Sequence, residues 1–155
     1  MQNRELRRAT TIDLITDVIR TNHFPRRYDE LSGQEKFCCL ELLAKASLSV
    51  RKIGKCVYAD GKVSWSRKLN GYEVYTDRKA GIHRRLRILA HEIGHIILHL
   101  DWRVGRIPAY PCELLDASSL LAYEYPDNEE DEARYFVERL LRRNGKPRFR
   151  RKAKK

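Results

Sequence analysis

Between residues 11 and 20, TIDLITDVIR sets Ile12, Ile15, Val18 and Ile19 on one helical stripe, and the pattern breaks through Asn22 to Pro25. A short first helix is predicted there. Ser32-Gly33-Gln34-Glu35 then has the spacing of a capping box, and KFCCLELLAKASL repeats apolar residues at Phe37, Leu40, Leu43 and Ala44. This predicts a second helix over about Gly33 to Leu48. After Gly54 the period changes: KCVYADGKVSWSRKLNGYEVYTD is rich in β-favouring residues, punctuated by Asp60-Gly61 and Asn70-Gly71, dipeptides that tolerate positive φ in hairpin turns. Three short antiparallel strands near 55–59, 62–67 and 72–76 are expected. Past a turn at Lys79 to Gly81, HRRLRILAHEIGHIILHL carries Leu86, Leu89, Ala90, Ile93, Ile96, Ile97 and Leu100, apolar around much of its circumference, as a buried central helix requires. Pro108 and Pro111 mark an irregular stretch, and Asp127-Asn128 can start a last helix, roughly 128–143, ended by Asn144-Gly145 and Pro147. There are no internal repeats. The expected class is α+β, a three-stranded antiparallel sheet packed on the central helix with flanking helices.

The length of 155 residues, 42% of them hydrophobic, suits a single core of ordinary size. Charge changes the picture at one end only. Lysine and arginine total 32 against 21 acids, a formal charge of +11, which raises nucleic acid as a partner. Nine of those cations, and no acid, fall in RRNGKPRFRRKAKK from Arg142 onward. Much of the excess is therefore a tail, expected to be disordered. Cys38, Cys39, Cys56 and Cys112 form no CxxC pair and follow no secretory signal, since MQNRELRRATTID is charged. They read as reduced, mostly buried thiols of a cytoplasmic protein. No apolar run approaches the roughly 18 residues that a membrane span needs, so no membrane partner is expected.

The chemistry gathers in LAHEIGHIILH, residues 89–99. Residues four apart on an α-helix differ by only about 40° around the axis and about 6 Å along it, so His91 and His95 project side by side and two imidazole nitrogens can meet one zinc ion. Glu92, about 100° round from His91, is too far for an obvious ligand but is placed as a general base for a water activated by the metal. Such a centre suits peptide-bond hydrolysis. The same five-residue pattern also arises in helices whose histidines are simply hydrogen-bonded. Against that, two imidazoles and a carboxylate among Leu89, Ala90, Ile93, Ile96 and Ile97 would carry a desolvation penalty of several kcal/mol if left unpaired, which a metal relieves. Gly94, costing a helix interior about 1 kcal/mol relative to alanine, suggests close approach of another element.

Catalytic zinc usually has three protein ligands. His99 lies about 12 Å in axial rise from His91, too far for one ion to take all three histidines. A metzincin would carry its third histidine where Asp101 stands and a glycine where Leu98 stands. The other source is NEEDEARYFVERLL, whose buried face is set by Ala133, Phe136, Val137, Leu140 and Leu141. Glu130, three before Ala133 and six before Phe136, falls on that side, with Glu132 as the reserve. An acidic cluster at a helix N-terminus is also favourable to the dipole without any metal.

Together the stretches YEVYTDRKAGIHRRLRILAHEIGHIILH and EDEARYFVERLL resemble the ImmA/IrrE-like zinc metallopeptidases, whose pattern is an LAHELGHLLLH-like helix followed by an E-x-E-A-N-x-F-A helix. The resemblance covers about residues 33–142, which sets an N-terminal helical segment at 1–32 and the basic tail at 143–155. It implies a small zincin-like domain with a gluzincin-type site: His91 and His95 match the histidine ligands, Glu92 the base, and Glu130 the first glutamate of the second motif. Arg134 stands where the family has Asn or Asp, Val137 where it has alanine, and LLRRNGKP replaces an LLMP ending. The support of the third ligand is where these departures bear. Family members are commonly cytoplasmic, are often encoded by phages, mobile elements or stress loci, and several act on helix-turn-helix repressors, so the resemblance implies a protein substrate of that kind.

Three functions follow as expectations. The first is a zinc-dependent endopeptidase of narrow specificity, with a hairpin edge strand such as residues 72–76 holding the substrate by strand addition. The second is a catalytically weak or inactive zincin-scaffold module that binds a repressor, or nucleic acid through the basic tail, although no helix-turn-helix is recognisable. The third, a DNA-associated SprT-like protease, would bring a histidine ligand downstream, and none follows His99. Tyr110, Tyr123, Tyr125 and His83 are oxyanion candidates, though each also reads as an ordinary packing or surface residue, as do Trp65 and Trp102.

Overall fold

In the computed structural model, which describes residues 3–57, 60–100, 109–111 and 129–141, the first helix, α1, runs from Asn3 to His23. It starts earlier than the apolar stripe because Glu5, Leu6, Arg7, Arg8 and Ala9 are all good helix formers, which hydrophobic periodicity does not register. Its buried line is Ala9, Ile12, Thr16 and Ile19, while Val18, expected on that line, is exposed together with Leu14. Six residues from Ile12 leave Val18 about 120° round the axis, so it turns away from the core. A single 3-10 turn, Tyr28–Glu30, leads to α2, Gly33–Ser47. The capping box forms as expected: Ser32 accepts from the Glu35 amide and the Glu35 side chain accepts from the Ser32 amide. Phe37, Leu40, Leu43 and Ala44 make the buried face.

The sheet departs from the expected three antiparallel strands. Among the described residues it has four strands in the order β1-β3-β2-β4, where β1 is Val50–Cys56, β2 Gly61–Ser66, β3 Gly71–Asp77 and β4 Ala109–Pro111. β1 pairs parallel with β3, β2 pairs antiparallel with β3, and β4 adds antiparallel to β2, so the sheet is mixed. Asp60-Gly61 therefore does not close a hairpin. Cys56 pairs with Asp77 and Gly61 with Thr76, so β1 and β2 lie on opposite sides of β3 and a link between them joins strands that are not neighbours. Such a link has to span two strand spacings, about 10 Å, beyond the reach of a two-residue turn. The β2–β3 hairpin does form, with Ser66 opposite Gly71 and Asn70 at φ 53 closing a four-residue loop. Residues 72–76, expected at a sheet edge, lie in the central strand with both sides hydrogen-bonded.

One face of the sheet carries Val63, Tyr72, Val74 and Thr76, all fully buried. Against that face lies α3, Ile82–Leu98, flanked by α2, and on the opposite side of α3 lies α4, Glu129–Leu141. α1 closes over α4: Tyr135 donates to Asp13 at 2.9 Å, Arg139 pairs with the same carboxylate at 2.9 Å, and Arg20 reaches the Leu140 carbonyl. The result is a small α+β domain in which α3 is enclosed by sheet and helices, with ten consecutive or nearly consecutive residues from Leu86 to Ile96 buried. Among the described cysteines Cys38 is exposed and Cys39 and Cys56 are half-buried, so the expectation of mostly buried thiols does not hold for them. Among the described residues no helix is long and apolar enough to cross a membrane. The basic tail and Cys112 lie outside the described residues.

Candidate metal centre

The enclosure of α3 decides the state of its polar residues. His91, Glu92 and His95 are 1%, 0% and 0% exposed, in a helix whose other buried positions are apolar. One helical turn apart, the two imidazoles meet edge to face, with ring centroids 4.8 Å apart and planes at 80°. Both rings face the first turn of α4. There Glu130 extends one carboxylate oxygen to each: Oε1 is 3.1 Å from His91 Nε2, and Oε2 is 3.0 Å from His95 Nε2.

Two helices can deliver three side chains to one point only if their axes come close. Gly94 permits this. A methyl group on Gly94 would stand 2.9 Å from Cδ1 of Phe136, so the ring of α4 occupies the space where α3 has no side chain. The Phe136 ring is itself fully buried. The close approach that a mid-helix glycine suggested is thus found, at a ring six residues along α4 from Glu130 and at a position between the two histidines in sequence.

Electrostatics set the protonation of the cluster. Burial pushes the His95 imidazole down to about 4, outweighing the bond from Glu130 that favours its cation. His91 moves in the same direction, again chiefly through burial, and the Arg134 guanidinium lowers it further. For Glu130 burial acts upward, but the bonds and charges of His91 and His95 more than reverse it, leaving the carboxyl well below the ordinary range. At neutral pH the cluster is therefore two neutral imidazoles and one carboxylate, which is the protonation state in which these side chains ligate a metal.

The residues fit a zinc ion on two further counts. Two nitrogens and one oxygen are a common catalytic donor set, as in sites of two histidines and a glutamate. Donor atoms around a tetrahedral zinc stand about 3.3 Å apart, and the three ligand atoms here already lie within 4.8 Å of one another. Among the described residues this is the one cluster of three such groups able to hold a metal.

Glu92 leaves α3 in another direction. Its carboxylate lies against β2, where a methyl group on Gly61 would stand 2.7 Å from Oε2 and 2.6 Å from Cγ2 of Ile88. Gly61, read from sequence as a turn residue, is the first residue of β2 and forms one wall around the glutamate. A glycine opening a strand was the available signal for such close approach. Arg134 is paired with the buried Asp131 three residues before it.

The remaining expectations divide. His99 is not on the helix but caps it, its amide donating to the His95 carbonyl at 2.9 Å, and its ring pairs with the reserve ligand Glu132 at 2.8 Å. His83 is exposed on the first turn of α3 beside Gly33, two turns before His91, and takes no part in the cluster. Trp65 packs edge to face on Tyr72 with centroids 5.1 Å apart. Tyr123, Tyr125, Trp102 and the Tyr110 side chain lie outside the described residues. No protein-family model matches the chain, and no curated protein matches it in sequence.

Proposed function

We propose that the chain is a zinc-dependent metalloendopeptidase in which His91, His95 and Glu130 hold the ion and Glu92 is the general base. The observation that carries this reading is the meeting of two neutral, buried imidazoles from α3 with an ionised carboxylate from α4. A purely structural cluster of this kind would bury three polar groups in place of apolar packing, with hydrogen bonds only to offset the desolvation. The zincin-like reading of the domain belongs to the same proposal, supported by the buried histidine helix backed on a sheet. So does the resemblance to the ImmA/IrrE-like family.

When bound, zinc supplies Lewis-acid polarisation of the scissile carbonyl and lowers the pKa of water to about 7. The residues of the chain do the rest. Glu92 takes the proton as water oxygen attacks the carbonyl carbon, and returns it to the leaving nitrogen as the C–N bond breaks, giving a carboxylate and an amine. Gly61 and Ile88 keep that carboxylate in place by filling the space around it. His91 and His95 contribute lone pairs and remain neutral through the cycle. The substrate that the family resemblance suggests is a regulatory protein such as a helix-turn-helix repressor in the cytoplasm.

One observation favours a second reading, a zincin-scaffold module that binds without cleaving: both oxygens of Glu92 are buried from solvent. Capture with Glu92→Gln separates the two. The full chain carrying Glu92→Gln is used to retain interacting proteins, and each is then incubated with the zinc-loaded wild-type chain. A hydrolase cleaves a retained protein and the variant does not. A retained protein that the wild type leaves whole supports the scaffold reading.

A further inference from the structure

His99 ends α3 with φ −126 and ψ −35, so its side chain leaves the helical path and folds back toward the preceding turn. Its ring lies over that of His95, with centroids 5.1 Å apart and planes tilted by 49°. The Nδ1 atoms of the two rings are 2.9 Å apart, and the other nitrogen of His99, Nε2, is 2.8 Å from Oε1 of Glu132. The three side chains are 0%, 5% and 16% exposed for His95, His99 and Glu132, so water competes little for these bonds.

Two ring nitrogens at 2.9 Å must divide their roles. If both carried protons the hydrogens would collide; if neither did, two lone pairs would face each other. The reading of His95 as a zinc ligand, on which this inference rests, settles the direction. Bound to the ion, His95 would use Nε2, the nitrogen 3.0 Å from the Glu130 carboxylate, so Nε2 would offer its lone pair to zinc and the proton of the neutral ring would sit on Nδ1. His95 Nδ1–H then donates to His99 Nδ1. His99 in turn carries its own proton on Nε2 and donates it to the Glu132 carboxylate.

We propose that His99 and Glu132 are positioning residues, a buried relay that locks His95 in the tautomer able to bind zinc through Nε2 and raises the basicity of that nitrogen. Two of the glutamates of α4 thereby divide the work. Glu130 meets the histidine nitrogens that face the metal, and Glu132, two residues later and turned toward the C-terminus of α3, holds the ring behind one of them.

The test measures zinc affinity of the full chain by chelator competition for wild type, His99→Leu, His99→Asn and Glu132→Leu. Losing a hydrogen-bond partner behind a ligand typically weakens metal binding by about 10–100-fold, and that loss is expected for His99→Leu and Glu132→Leu. His99→Asn, whose amide oxygen can accept the His95 proton, is expected to recover most of it. Nitrogen-15 spectra of the imidazoles in the zinc-loaded wild type are expected to show His95 protonated at Nδ1 and His99 at Nε2, a signature that packing alone would not produce. Glu132→Leu leaves the α3 cap intact and carries the affinity test if His99→Leu does not fold. Wild-type and Glu132→Leu chains binding zinc equally, or His95 protonated at Nε2, would overturn the relay alone. A wild-type chain that binds no zinc would overturn the metal reading and the relay with it.

Discussion

Gly61 and Glu92, on β2 and α3, are in such close contact that a methyl group on the glycine would stand 2.7 Å from the carboxylate oxygen. Nothing heavier than hydrogen fits there without moving the glutamate. Gly61→Ala is therefore expected to displace Glu92, the proposed base, while leaving in place His91 and His95, which face α4, and Glu130, which α4 carries. Misplacing a catalytic group by about 1 Å can cost about a hundredfold in rate. On a substrate recovered with Glu92→Gln, the Gly61→Ala chain should show a kcat lower by about that factor with unchanged zinc content. Full activity would mean that Glu92 is not held by this wall, or is not the base.

Two glutamates of the last helix, Glu130 and Glu132, are expected to differ in kind. Glu130→Ala removes the carboxylate that meets both histidines, the proposed third ligand of the ion, and should abolish stoichiometric zinc binding at micromolar concentration. Glu132→Ala removes a partner of His99 and should only weaken it, by about 10–100-fold. Titration calorimetry on both variants distinguishes the roles; the reverse order would reassign the third ligand.

Gly94→Val tests the close helix contact. Its side chain would enter the space of the buried Phe136 ring, only 2.9 Å from the position of the first added carbon. Overpacking of this kind costs about 1–3 kcal/mol. Because α3 and α4 would be pushed apart between His91 and His95, zinc affinity should fall together with the urea midpoint. A variant with wild-type stability and affinity would show that the helices do not need this contact.

Acid should loosen the metal-free protein over a defined interval. An unfolded chain protonates its histidines as pH falls through about 6.5, whereas burial holds His95 neutral in the folded state down to about 4. The unfolded state thus binds more protons between those values, and stability falls as pH falls. It is fully present above about pH 6.5 and is lost progressively toward pH 4, His95 alone accounting for about 3 kcal/mol. His91 and Glu130, both shifted downward, act in the same sense. Urea unfolding of chelator-treated protein at pH 7, 6, 5 and 4 measures it. A flat profile for the wild type, or one unchanged in His95→Gln, would contradict the neutral buried state.

What the sequence reveals of this molecule tracks how local each feature is. The capping box of Ser32 and Glu35 and the buried face of α2 depend on residues within a few positions, and the structure matches them. The meeting of Glu130 with His91 and His95 could be anticipated because helical geometry fixes where each side chain points before the helices dock. Pairing between β1 and β3 could not, since strand propensity does not say which neighbour a strand takes, and the Asp60-Gly61 pair looked like a hairpin. The place of His99 was not legible for a related reason. Counted along an ideal helix it lies too far from His91 to share one ion, and the pattern does not say that the helix ends at Leu98 and that the ring turns back onto His95. Likewise, the role of Gly61 depends on a contact between residues 31 positions apart in sequence, and no local pattern carries it.

The most direct measurement is the zinc content and affinity of the purified full chain beside His91→Ala and Glu130→Ala, each checked for folding by circular dichroism. The account predicts about one zinc per wild-type chain, held by two histidines and a glutamate, and little or none in either folded variant. A wild-type chain that takes up no zinc, or folded variants that keep full occupancy, would contradict it.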